Sequence, residues 1–137
     1  MTRSQLTTVL DQEQNAVLEI IDGVYAAWAD NDADAFAELY LADATVVQPA
    51  VYKNSKDAIR TSMAAAFAGP LKGSTVIDKP LSVRFLSDDA VVVISEGGVL
   101  MAGESEVPPQ RLVRATWVLA KRDGRWMIVA YHNSPAN

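Results

Sequence analysis

The stretch RLVRATWVLAKRDGRWMIVAYHN (Arg111–Asn133) reads as two strands joined at Arg122-Asp123-Gly124. Val, Thr, Ile and aromatic residues are dense on both sides of that joint, and the period is two rather than 3.6. The same pattern extends backwards over Ala90–Met101 and Thr75–Leu86, with Ser87-Asp88-Asp89 as the turn between them. Four long strands in succession predict an antiparallel meander, and Ala102–Pro109 (AGESEVPP) is a longer connection within it.

The loop of the last hairpin decides which residues share a face. It holds either two residues (Asp123-Gly124) or three (Arg122-Asp123-Gly124), and the three-residue form is favoured because Gly stands last, in the left-handed position of a bulge. Leu112, Arg114, Thr116, Val118, Ile128, Ala130 and His132 then share one face, with Arg114 opposite His132. Val113, Trp117, Leu119, Met127, Val129, Tyr131 and Asn133 share the other.

Upstream of the meander the period is helical. Val17, Ile20, Ile21, Val24, Tyr25 and Trp28 form the apolar stripe of a helix from about Asp11 to Ala29. Asp34 is positioned to cap a second helix, Ala35–Leu41, which buries Phe36, Leu39 and Tyr40. A short strand, Ala44–Gln48, stops at Pro49. A third helix runs from Ser55 to Ala68 with Ile59, Met63 and Phe67 inward, closed by Gly69-Pro70. Three helices followed by a meander define an α+β order. The helices cover one sheet face only, yet both faces are apolar, so the uncovered face predicts a homodimer through Val113, Trp117, Leu119, Val129 and Tyr131.

The chain has 137 residues, enough for one domain with a hydrophobic core, and it is 50% apolar and 21% charged. A net charge of −5 with scattered basic residues argues against a nucleic-acid surface. There is no cysteine and one histidine, which excludes thiolate chemistry and argues against a zinc set. No P-loop or dinucleotide fingerprint occurs. Gly97-Gly98 lies inside a strand and reads as a bulge, so no cofactor is expected. No signal peptide or membrane-spanning run is visible, and a cytoplasmic protein without membrane partners is the expectation.

VYAAWADNDADAFAELYLADATVVQP (Val24–Pro49) and KRDGRWMIVAYHNS (Lys121–Ser134) resemble the opening and the final hairpin of the nuclear-transport-factor-2-like (NTF2-like) superfamily. AFAGPLKGS (Ala66–Ser74) and the His132-Asn133 ending resemble the SgcJ/EcaC group within it, close to the SnoaL-like proteins. The resemblance implies one cone-shaped domain over residues 1–137, with an ordered core at about 10–134 and a central pocket between three N-terminal helices and a curved antiparallel sheet. It also implies a hydrophobic polyketide-type ligand, in a group associated with enediyne biosynthesis.

Ketosteroid isomerases carry a motif resembling DATVEDP whose last acid is the general base. Here Asp43-Ala44-Thr45-Val46-Val47-Gln48-Pro49 places Gln48 at that point, and an amide takes no proton near neutrality. The isomerase's helical tyrosine aligns with Val24, next to Tyr25. That chemistry is therefore not expected. His132 is the candidate acid/base, since its ordinary pKa lies nearest neutrality, and Arg114 is the candidate stabiliser of an anion. The alternatives are a structural His132 and an Arg114 paired with Glu96, Glu104 or Glu106. Gln48, Thr116, Glu96, Tyr25, Trp28, Tyr40, Tyr52, Met63 and Phe67 are candidate ligand contacts, with Tyr40 and Tyr52 favoured because a buried phenol needs a hydrogen-bond partner. Two functions remain open: cofactor-free isomerisation, cyclisation or dehydration, and a non-catalytic homodimeric binding or association module.

Overall fold

In the computed structural model, which describes residues 2–137, helix α1 spans Arg3–Ala29. It starts earlier than the apolar stripe predicts because Thr2 and Gln5 form a reciprocal capping box. Asp32, not Asp34, caps α2 (Ala33–Glu38) by accepting from the Ala35 N–H at 3.0 Å. Ser55 caps α3 (Lys56–Ala68).

The strands are β1 (Tyr40–Gln48), β2 (Val51–Lys53), β3 (Thr75–Ser87), β4 (Ala90–Leu100), β5 (Val113–Arg122) and β6 (Arg125–Pro135). They form one sheet in the order β2-β1-β6-β5-β4-β3. Only the β1–β6 pair is parallel. Helix α1 packs on β3 and β6 and α3 on β1, while α2 bridges the two helices. Strand β2, absent from the sequence reading, is three residues long and follows β1 through Pro49-Ala50. No helix among the described residues is long and apolar enough to cross a membrane.

The last hairpin departs from the expected register. Arg122 pairs with Arg125, so the loop has two residues, and both Asp123 (φ 52°) and Gly124 (φ 77°) are left-handed. Such turns match the right-handed strand twist that a tight hairpin needs. A register shift then separates Leu119↔Ile128 from Val118↔Ala130, leaving Val129 as an extra bulge residue. As a result Trp126 and Ile128 face the helices below the bulge, and Tyr131 and Asn133 face them above it. His132 lies opposite Thr116, not Arg114.

The inner and outer faces are also exchanged relative to expectation. Val113, Trp117, Leu119 and Tyr131, assigned from sequence to a dimer surface, point towards the helices, and Trp117 is 2% exposed. Arg114, Thr116 and His132 lie on the outer face. Burying a Trp and a Tyr removes far more apolar area from water than burying their neighbours, and it leaves Arg114 and His132 solvated. Gly97 and Gly98 pair regularly with Asp78 and Ile77; the irregularities of this ladder fall instead at Pro80/Ser82 and Phe85/Ser87 on β3.

Glu13 ties α1 to this hairpin, accepting from Trp126 Nε1 at 2.9 Å and from Lys121 Nζ at 3.1 Å. Glu13→Ala leaves the indole N–H of the buried Trp126 and the Lys121 ammonium without their acceptor. Chemical denaturation should show a loss of about 1–3 kcal/mol, most of it restored by Glu13→Gln.

Candidate functional site

Between the inner sheet face and the helices lies a cavity of about 430 Å³, within the range of small-molecule sites. Most of its wall is apolar: Val24 and Trp28 from α1, Phe36 from α2, Ile59 and Met63 from α3, and Val46, Val76 and Val99 from the sheet. Trp28 is fixed by donating from Nε1 to Ser74 Oγ at 2.9 Å, and Ser74 in turn donates to the Leu71 carbonyl.

One section of the wall is polar. Asp78 on β3 faces the Tyr25 phenol of α1 and the Ser95 hydroxyl of β4, and both favour its carboxylate through hydrogen bonding. Burial acts the other way and is the stronger influence, so the Asp78 pKa is raised; the charge of Asp22 adds to that rise. Ser95 accepts from Trp117 Nε1 at 3.0 Å, which leaves its own proton free for Asp78. The place for this carboxyl is created by Gly97, directly across the β3–β4 ladder. A Cβ there would stand 2.8 Å from Asp78 Oδ1.

Two phenols accompany the acid. Tyr25 has its pKa raised, first by burial and then by the Asp78 charge, so it remains a proton donor. Tyr131 is pushed up to about 12, mainly by burial. Its oxygen accepts from Asn133 Nδ2 at 2.8 Å, leaving its hydrogen to be donated. The Trp117 ring stands between them, with centroids 6.0 Å from Tyr25 and 4.4 Å from Tyr131. This arrangement offers a proton acceptor of raised pKa beside the uncommitted Tyr131 O–H and a Tyr25 O–H that the carboxylate holds until it is protonated, the parts needed to take a proton next to a carbonyl and hold the resulting oxyanion.

Of the residues singled out from sequence, Tyr25, Trp28, Tyr40, Gln48 and Met63 line the cavity. Phe67 is core, edge-on to Trp28 and Phe36, and is not among the lining residues. Tyr52 is 70% exposed on the outer face, because its partner Val47 points outward and paired residues share a face. Arg114 is exposed and pairs with Glu96 across β4–β5 at 3.3 Å, so both lie outside the cavity. His132 and Thr116 also lie outside, and a role for His132 in cavity chemistry does not fit this geometry. Glu104 pairs with Arg111 rather than with Arg114. Sequence reasoning missed Asp78, Tyr131 and Lys53 as cavity residues. Among the described residues no group of three His, Asp or Glu stands close enough to hold a metal ion.

A family model described as a SnoaL-like domain matches residues 17–137. The chain belongs to this family. Solved structures agree on the architecture of this SnoaL-like protein, a cystatin-like, NTF2-like α+β fold. One from Nostoc punctiforme, a domain of unknown function with a cystatin-like fold, shares 19% identity with a TM-score of 0.83, over 90% of this chain and 77% of that one. An NTF2-like protein from Novosphingobium aromaticivorans shares 16% with a TM-score of 0.83, over 99% and 91%. A third, from the same organism and provisionally named a scytalone dehydratase, shares 17% with a TM-score of 0.76, over 93% and 86%. These likenesses show fold alone. Among curated proteins none matches.

Proposed function

We propose that this SnoaL-like protein binds a hydrophobic, polyketide-derived intermediate of secondary metabolism and converts it by cofactor-free acid/base chemistry. The reading rests on one observation: a carboxyl of raised pKa in the wall of an apolar cavity, beside two phenol donors. Asp78 takes a proton from a carbon next to a carbonyl. Tyr131 hydrogen-bonds the enolate oxygen, joined by the Tyr25 hydroxyl once protonation of Asp78 weakens its hold on that hydrogen. The proton then goes to a second carbon of the enolate, to the alkoxide formed when the enolate carbon attacks a second carbonyl, or to a β-hydroxyl that departs as water. Isomerisation, cyclisation and dehydration all follow this scheme. The polyketide class, and enediyne-type intermediates within it, are supported by the resemblance of Ala66–Ser74 and the C-terminal hairpin to the SgcJ/EcaC group. The fold neighbour named for a dehydratase is compatible with the reaction type.

The test uses β-tetralone in deuterated water, with exchange of its α-protons followed by NMR. Acceleration by the wild type that Asp78→Asn removes is the expected result. An exchange rate equal to buffer, or one unchanged in the variant, overturns the proposal.

We also propose pairing with a second copy through the outer sheet face, with residues revised by the register. Tyr52, Val47, His132, Thr116, Ile94 and Ser82 form one row across all six strands, and Thr45, Ala130, Val118, Val92 and Arg84 form the adjoining row across five. The centre of this surface is apolar, and Val47 and Tyr52 at its edge are exposed. Val118→Glu should convert a dimer to a folded monomer in light scattering, whereas an intact dimer in that variant removes this face as the interface.

A further inference from the structure

Lys53 stands in the cavity wall on β2, one edge of the sheet, while Asp78 stands on β3, the opposite edge. Its pairing with Val46, itself a wall residue, fixes the Lys53 side chain to the inner face. The ammonium is half-buried, and burial lowers its pKa. The polar contact it makes is weak: Nζ lies 3.8 Å from the Met63 thioether, and no carboxylate among the described residues comes within salt-bridge distance. The other cation of the wall, Arg111, is already engaged by Glu104 and by the Val99 carbonyl at 3.0 Å. A partly desolvated ammonium with three donor hydrogens and a sulfur for company is costly unless an anion completes it. Gln48, two residues from Val46 on the same face, adds an amide to the same wall.

We propose that the ligand is an amphiphilic acid, an apolar body carrying an oxyanion head group such as a carboxylate, with that head group bound by Lys53. The inference rests on the reading of the cavity as a catalytic site and specifies its substrate class. With the acid held at the β2 edge, the apolar body extends across the cavity and its reacting carbonyl is presented to Asp78 at the β3 edge. Charge thus orients a molecule that the apolar walls alone bind in either direction.

The test compares two fluorescent probes with one ring system: anilinonaphthalene sulfonate, which is anionic, and N-phenylnaphthylamine, which lacks the sulfonate. The wild type should bind the anionic probe about tenfold or more tightly than the neutral one, the magnitude of a hydrogen-bonded charge pair. Lys53→Met should abolish that preference without weakening the neutral probe, Lys53→Arg should keep it, and Lys79→Met, at an exposed lysine on β3, should have no effect. Equal affinities in the wild type, no binding of the anionic probe, or equal weakening of both probes by Lys53→Met overturns the inference. Asp78→Asn should leave the preference in place, so failure of the catalytic reading and failure of the anionic anchor are read separately.

Discussion

Asp78→Asn should remove proton transfer and make the folded protein more stable. The expected loss of β-tetralone exchange is about 100-fold to 10,000-fold, the usual contribution of a positioned general base. The stability gain follows from the direction of the pKa shift. Burial raises the folded-state pKa of Asp78 above its unfolded value, so the folded protein holds this proton more tightly than the unfolded chain does. Its contribution therefore favours folding below the ordinary aspartate pKa and is lost as pH rises through the raised value. Asn carries no charge and escapes that loss. The difference in Tm between variant and wild type should be near zero at low pH, grow through the window between the two pKa values, and then level off. Calorimetry in steps from about pH 4 to about pH 8 measures it, and a difference that is flat or of opposite sign contradicts the assignment. Tyr25→Phe separates the roles further. It removes a donor that favours the carboxylate, so the Asp78 pKa should rise again and the pH profile of exchange should shift upward.

Much of the architecture was legible because period and punctuation carry it. Helix α3 is capped by Ser55 and ends before Gly69-Pro70, as its residues require, and the four long strands follow from runs of β-branched residues. Strand β2 was hidden because three residues give no measurable alternation, and Ala50 takes a left-handed φ of 61° that its side chain does not advertise. The site was less legible, for a physical reason. A strand with one apolar face declares which side is buried, but β5 and β6 are apolar on both, so alternation names two sets without saying which faces the helices. The polar set, Arg114, Thr116 and His132, invites a catalytic reading. The aromatic set has the larger area to bury, and area decides. The signal for Asp78 is an isolated carboxylate in a strand whose neighbour carries two consecutive glycines, Gly97 opposite Asp78 and Gly98 opposite Ile77, that announce close backbone approach.

Those glycines make the second large effect. Gly97→Ala should both destabilise the protein and disable the acid, because a Cβ at this position would lie 2.1 Å from the Ile77 carbonyl oxygen and 2.7 Å from Asp78 Cα. Both are backbone atoms of the paired strand, so no rotamer change relieves the contact. The β3–β4 ladder must spread or shift, and overpacking of this kind costs about 1–3 kcal/mol and at times more. At this chain length that is a fall in Tm of roughly three to ten degrees. Gly98→Ala is the matched control. Its Cβ meets Val107 Cγ1 at 2.7 Å and the Arg111 carbonyl oxygen at 3.0 Å, so it strains the β4–β5 connection but leaves the Asp78 carboxyl untouched. At a temperature where both variants are folded, exchange should fall far more in Gly97→Ala than in Gly98→Ala. Equal activities at equal folded fractions would mean that the place of the Asp78 carboxyl does not depend on the missing side chain across from it, and the chemistry assigned to that carboxyl would lose its structural basis.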